Sequence, residues 1–162
     1  MIPPPGANEC DEGKTMFKRV VVGTDGSDTA TEAVRQAVEL AKQLDASVEI
    51  VSAYEPVPAQ RLRQERREAP EELQWAISPR EEVEATLKDA LEVAEAAAVT
   101  ANTHPRQGDP ADAILDVAEE TGADLIVVGN KGMTGAKRFL LGSVPNKVSH
   151  HAPSSVLIIR TT

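Results

Sequence analysis

Cysteine and aromatic residues are nearly missing from this 162-residue chain, which has one cysteine and aromatics at 2%. Cys10 stands alone, which excludes an internal disulfide and a thiolate metal cluster. So few rings leave no stacking platform for single-stranded nucleic acid. Positive charge is also short: 17 lysines and arginines face 26 acidic residues, for a formal net charge of −9. A general nucleic-acid surface needs a basic face, so nucleic acid is not an expected partner. No apolar run approaches the roughly 18 residues of a membrane span, and residues 1–15 lack the apolar centre of a secretory signal. The expectations are no membrane insertion, a cytoplasmic location, and a flexible tail at 1–15 ahead of one domain at 16–162.

What is present is a repeated alternation of short apolar runs and amphipathic stretches. Val20 to Val22, ended by Gly23, reads as a strand covered on both faces. Ala30, Ala33, Val34, Ala37, Ala41 and Leu44 follow at helical spacing. Two starts compete for that helix: Ser27 as a simple N-cap, and the better-matching capping box Thr29 with Glu32. "ASVEIVSAYEP" is the second strand, followed by a long, charged connection bounded by prolines and holding Arg61, Arg63, Arg66, Arg67 and Trp75. Ser78-Pro79-Arg80-Glu81 opens the next helix, whose buried stripe is Val83, Leu87, Ala90, Leu91, Ala94 and Ala98. "VTANTHPRQG" is a poor strand, placed at an edge because Pro105 cannot donate to a ladder. A third helix has Asp109 as cap, Pro110 next and Gly122 past its end. The strand "DLIVVG", a short helix from about Ser143 and the strand "SSVLIIR" complete the chain. Strand and helix in strict alternation predict a parallel sheet with helices on both faces. The last strand, apolar through Val156 to Ile159, is a hazard as a bare edge, which predicts a homodimer formed through residues 155–160.

In such sheets a ligand sits beyond the carboxyl ends of the strands, where the winding reverses. Two strands end in distinctive chemistry, the first in Gly23-Thr24-Asp25-Gly26-Ser27 and the fourth in Gly129-Asn130-Lys131-Gly132. Spaced glycines let backbone N–H groups turn toward an anion with no Cβ in the way. Gly142-Ser143 then leads into a helix whose first N–H groups have no internal partners. Ser143 either caps that helix or donates its hydroxyl to a phosphate. Lys131, Lys137 and Arg138 concentrate positive charge in an otherwise acidic chain. A plain connecting loop is the alternative; neither a Walker loop nor the dinucleotide fingerprint is present. Asp25 likewise has two readings, as ligand to a ribose hydroxyl or metal ion, or as part of the first helix cap.

Gly129, Gly132, nine residues from Met133 to Leu141, then Gly142-Ser143, together with the opening "VVVGTDGS", resemble the universal stress protein family. The resemblance runs over residues 17–162 and implies a Rossmann-like fold, similar to the adenine nucleotide alpha hydrolases. Its five-stranded parallel sheet would have the order 3-2-1-4-5 and helices on both faces, with dimerisation through the last strand. For the ATP-binding branch it implies that Asp25 and the backbone near Ala53 hold the adenosine part, and that Gly129, Asn130, Gly132, Gly142 and Ser143 hold the phosphates. Gly23, Thr24, Lys131 and Val144 complete the expected nucleotide-binding set. The implied ligand is ATP, with AMP or cAMP as alternatives and Mg²⁺ accompanying ATP.

No catalytic machinery is evident. His104 adjoins Pro105, and His150 with His151 ends the last helix, so surface and helix-end roles are expected for all three. No nucleophile has an obvious base, and no metal-ligand spacing appears. A nucleotide-binding stress or signalling protein is the preferred reading; a slow Mg²⁺-dependent ATPase is the alternative. A response-regulator receiver is disfavoured, because the first strand ends in one acid and the third in Arg106-Gln107-Gly108-Asp109.

Overall fold

Val20, Val21 and Val22 have no exposed surface, because their strand is covered on both faces by helices. This is β1 (Arg19–Gly23), the middle of a parallel sheet in a computed structural model that describes residues 16–56, 63–64, 67–68, 79–130 and 141–161. The other strands are β2 (Ser47–Tyr54), β3 (Ala101–Gln107), β4 (Leu125–Gly129) and β5 (Ser155–Ile159). Their order is β3-β2-β1-β4-β5, so the chain winds outward from β1 to β3, then crosses to the other side of β1. β1 and β4 pair in parallel, Val20 with Leu125 and Val22 with Val127, so their carboxyl ends finish side by side.

Side-chain alternation along each strand divides the core in two. Val20, Val22, Val48, Ile50 and Val127 pack beneath α1 (Asp28–Leu44) and α2 (Pro79–Ala96). Val21, Val51, Ile126 and Val128 pack beneath α3 (Pro110–Thr121) and α4 (Ser143–His151). The expected apolar stripes are largely the buried ones. Val38 joins the α1 stripe, whereas Ala98 lies beyond α2 in the left-handed region at φ 57°.

Helix ends follow local chemistry. Asp109 accepts from the N–H groups of Ala111 and Asp112, Pro110 occupies the first turn, and Gly122 ends α3 at φ 65°. At α1 the capping-box expectation is corrected: Ser27, not Thr29, is the N-cap, with its hydroxyl accepting from Ala30 N at 3.2 Å. Thr29 lies inside the helix.

β3 is an edge strand, as Pro105 predicts. Val48 N donates to Thr100 O and Gly108 N to Tyr54 O, so alternate residues of β3 turn their backbone groups to β2. By that alternation Pro105 falls on the outward side, where its missing N–H costs no ladder bond. β5 forms the opposite edge, with Leu157 38% exposed. Among the described residues no helix is long and apolar enough to cross a membrane.

Candidate functional site

The winding reverses between β1 and β4, which pair in parallel, so Thr24 after β1 and Asn130 after β4 both lie at the carboxyl ends of neighbouring strands. Thr24 closes the β1 side: its N–H donates to Val51 O at 2.9 Å, and its hydroxyl accepts from Gly26 N at 3.2 Å. Gly26 has φ 78°, and a Cβ there would stand 3.1 Å from the Thr86 hydroxyl, so both backbone and neighbour require glycine. Gly23 is needed for a different reason. Its Cβ would lie 2.4 Å from Ile114 Cδ1, so this glycine makes room for α3.

Asp25 serves the start of α1, the structural one of its two readings. Its Oδ1 accepts from Ser27 N at 3.0 Å and from the Ser27 hydroxyl at 2.5 Å, which orients the oxygen that caps α1. Oδ2 accepts from no described residue.

β2 runs past the end of β1. Ser47 N donates to Lys18 O and Thr24 N to Val51 O, so odd-numbered residues of β2 turn their backbone groups toward β1. Ala53 is the next in that series, where β1 has already turned away. Neither its N–H nor its C=O has a backbone partner on that side among the described residues. A donor and an acceptor on one residue suit the edge of a nucleobase.

On the β4 side, Asn130 O accepts from Gly142 N at 3.0 Å, which ties together the two ends of the intervening segment. Gly142 is the N-cap of α4, and its carbonyl accepts from Asn146 N at 3.1 Å. Ser143 is therefore the first helical residue and makes no side-chain cap, which removes one of its two expected roles. Pro145 has no N–H, so the orphan donors of the first turn are those of Ser143 and Val144. Neither has an acceptor among the described residues, and no side chain at Gly142 stands before them. Such amides at the positive end of a helix favour an anion.

Lys131 and Gly132 lie outside the described residues, as do Lys137, Arg138, Phe139 and Trp75. Lys147, one turn into α4, is held by two carboxylates, 3.2 Å from Asp109 and 2.8 Å from Asp112. The hydrogen bond to Asp112 leads the raising of its pKa. This cation is therefore balanced by acids. A cavity of about 110 Å³ opens between α1 and α2 beside Thr24, Gly26, Thr86 and Asp89. It is smaller than the 300 Å³ or so of ordinary ligand pockets, so by itself it does not enclose a ligand of that size. Among the described residues no group of three His, Cys, Asp or Glu could hold a metal ion.

The surface role expected for His104 is corrected. Its Nε2 lies 2.6 Å from Glu49 Oε2, and Glu49 is 4% exposed within the sheet. Asn102 donates to the other Glu49 oxygen at 3.3 Å, and Arg19 Nε lies 3.6 Å from it. A glutamate inside the apolar run of β2 was the one available signal, because a buried carboxylate requires partners.

Together these features define an open parallel α/β domain with unpaired backbone groups and Asp25 near its switch point. The universal stress protein family model matches residues 16–160, and the chain belongs to that family. A universal stress protein of Mycobacterium tuberculosis is 40% identical over 149 residues, spanning 90% of this chain and 98% of its own. A universal stress protein crystallised with cAMP superposes with a TM-score of 0.66 at 35% identity, covering 90% of this chain and 98% of that one. The Archaeoglobus fulgidus universal stress protein in complex with dAMP gives 0.61 at 26% identity, covering 90% and 99%.

Proposed function

We propose that this chain is a stress-response or signalling protein that binds an adenine nucleotide at the ends of β1 and β4. ATP is the principal candidate, with AMP and cAMP as alternatives. The observation that carries the reading is at Gly142. Its φ of −59° and ψ of 164° suit any residue, and among the described residues a Cβ would meet nothing closer than 3.5 Å. No described neighbour requires glycine there. A ligand reaching the orphan amides of Ser143 and Val144 does. The unpaired backbone groups of Ala53 suit adenine, and the open Asp25 oxygen suits a ribose hydroxyl. Gly129, Asn130, Lys131 and Gly132 complete the phosphate side by the family motif. Relatives holding cAMP and dAMP support the same ligand class.

Mass spectrometry of small molecules released from the purified protein, with calorimetric titration of ATP, AMP and cAMP, tests the reading. Binding at micromolar Kd is expected, corresponding to about −8 kcal/mol. No recovered adenine nucleotide and no heat with any of the three overturns it. Mg²⁺ accompanies bound ATP in this reading. Labelled ATP then decides the ATPase alternative: phosphate release that survives Gly132→Val does not arise from this site.

The same reading includes a homodimer through residues 155–160. β5 is an edge strand, Leu157 is exposed, and Val156 and Ile158 are only partly buried. Light scattering with Leu157→Lys distinguishes the cases, since an edge charge opposes strand pairing. A dimer in the parent and a monomer in the variant are expected; an unchanged mass overturns the interface.

A further inference from the structure

Asn130 joins three parts of the molecule. Its N–H donates to Ile159 O at 2.9 Å, at the end of β5, and its carbonyl accepts from Gly142 N at the start of α4. Its side-chain Oδ1 accepts twice from Thr161, at 3.0 Å from the backbone N–H and at 3.0 Å from the hydroxyl. A backbone N–H can only donate, so the amide orientation is fixed: oxygen faces Thr161, and the Nδ2 hydrogens are the pair left to donate elsewhere. No described residue accepts from them. A flipped amide would set donor against donor.

We propose that Thr161 is a positioning residue for the anion site, holding the Asn130 amide so that its N–H groups serve a phosphate rather than its carbonyl oxygen. The inference rests on the nucleotide-binding reading and adds to it a residue from the segment beyond the last strand. It also makes the end of β5 and the phosphate site share one side chain. Without the Thr161 hydroxyl the amide loses one of two restraints, and its oxygen turns toward the ligand for part of the time. An oxygen lone pair opposes a phosphate, so affinity falls for ligands that carry one and stays the same for adenosine.

Calorimetric titration of ATP, AMP and adenosine into the parent, Thr161→Val, Thr161→Ser and Asn130→Asp proteins tests this. Thr161→Val is expected to weaken ATP and AMP by about threefold to tenfold, the worth of one ordinary hydrogen bond. Adenosine affinity is expected to be unchanged, and Thr161→Ser, which keeps the hydroxyl, to bind as the parent does. Asn130→Asp keeps the oxygen that accepts both bonds from Thr161 but has no donor, and should lose more than tenfold. Adding Thr161→Val to it should then cost nothing further. Should Thr161→Val fold poorly, Thr161→Ala replaces it. Equal weakening of ATP and adenosine, or unchanged ATP affinity in Thr161→Val, overturns the inference while leaving the nucleotide reading intact. A parent protein that binds none of the three overturns both.

Discussion

Gly23 and Ile114 compete for one volume: a Cβ on Gly23 would lie 2.4 Å from Ile114 Cδ1 and 3.1 Å from its Cγ1. This glycine belongs to the opening motif, yet its missing side chain serves the packing of α3 against the sheet. Ile114 is buried in that half of the core, so its rotamer has little room to change. Gly23→Ala should therefore destabilise the fold by about 1–3 kcal/mol, the usual cost of overpacking. Ile114→Val, which removes the clashing methyl, should recover part of that loss in the double variant. Urea unfolding of the four proteins reads the coupling, and strictly additive losses would contradict the shared volume.

Gly142 provides the opposite case. An added Cβ meets Asn130 O and Pro145 at ordinary distances, and the backbone is not in the left-handed region. Serine is a better N-cap than glycine, so Gly142→Ser should hold or raise stability by a few tenths of a kcal/mol. It should also weaken ATP at least about tenfold, because its hydroxyl would compete for the amides the phosphates need. Unfolding and calorimetry on the same preparation separate the two effects. A variant that binds ATP as tightly as the parent would remove the cradle from the proposed function.

These two glycines show how far the sequence could be read. The strand order follows from alternation and winding, and Asp109, Pro110 and Gly122 act through chemistry confined to a few neighbouring residues. Pro105 marks an edge because a missing donor is intolerable elsewhere in a sheet. Spacing alone could not separate Gly23, which makes room for a helix, from Gly142, which no described neighbour crowds. That distinction depends on what lies across space from each. Asp25 was similarly ambiguous, since its bond to the capping hydroxyl of Ser27 depends on a choice between two good caps. The pairing of Glu49 with His104 joins residues 55 positions apart, beyond any local pattern.

That pairing has a consequence for stability. Removing His104 would leave the buried Glu49 carboxylate with Asn102 at 3.3 Å and a more distant Arg19. His104→Ala should cost about 1–3 kcal/mol, the penalty for an under-satisfied buried group. Glu49→Val in that background should restore much of it, because an apolar residue of strand-favouring shape needs no partner. Thermal and urea unfolding of the single and double variants check the sign. A double variant less stable than His104→Ala alone would show that Glu49 is held by its other neighbours.

The start of α3 predicts a pH dependence whose sign can be worked out. The backbone N–H of Asp112 is the main influence holding the Asp109 carboxyl below its ordinary pKa, with Lys147 and the Ala111 N–H contributing. A carboxyl lowered in the folded state stabilises fully above its unfolded pKa of about 3.9, and that stabilisation is lost as pH falls through the folded value. Lys147 is raised, so its share is complete below about pH 10 and disappears only as pH climbs through its folded value. Between these limits the contribution is flat. Asp109 and Lys147 are both well exposed, so solvent screens the ion pair and the N-cap bonds dominate. Asp109→Ala should lose about 1 kcal/mol at neutral pH, and the difference from the parent should shrink in acid, below roughly pH 4. Asp109→Asn keeps the capping oxygen without the charge, so its neutral-pH loss should be smaller and its acid step absent at this site. Urea unfolding of the three proteins across the acid range checks both statements. A gap between parent and Asp109→Ala that widens as pH falls would reverse the sign and contradict the lowered carboxyl.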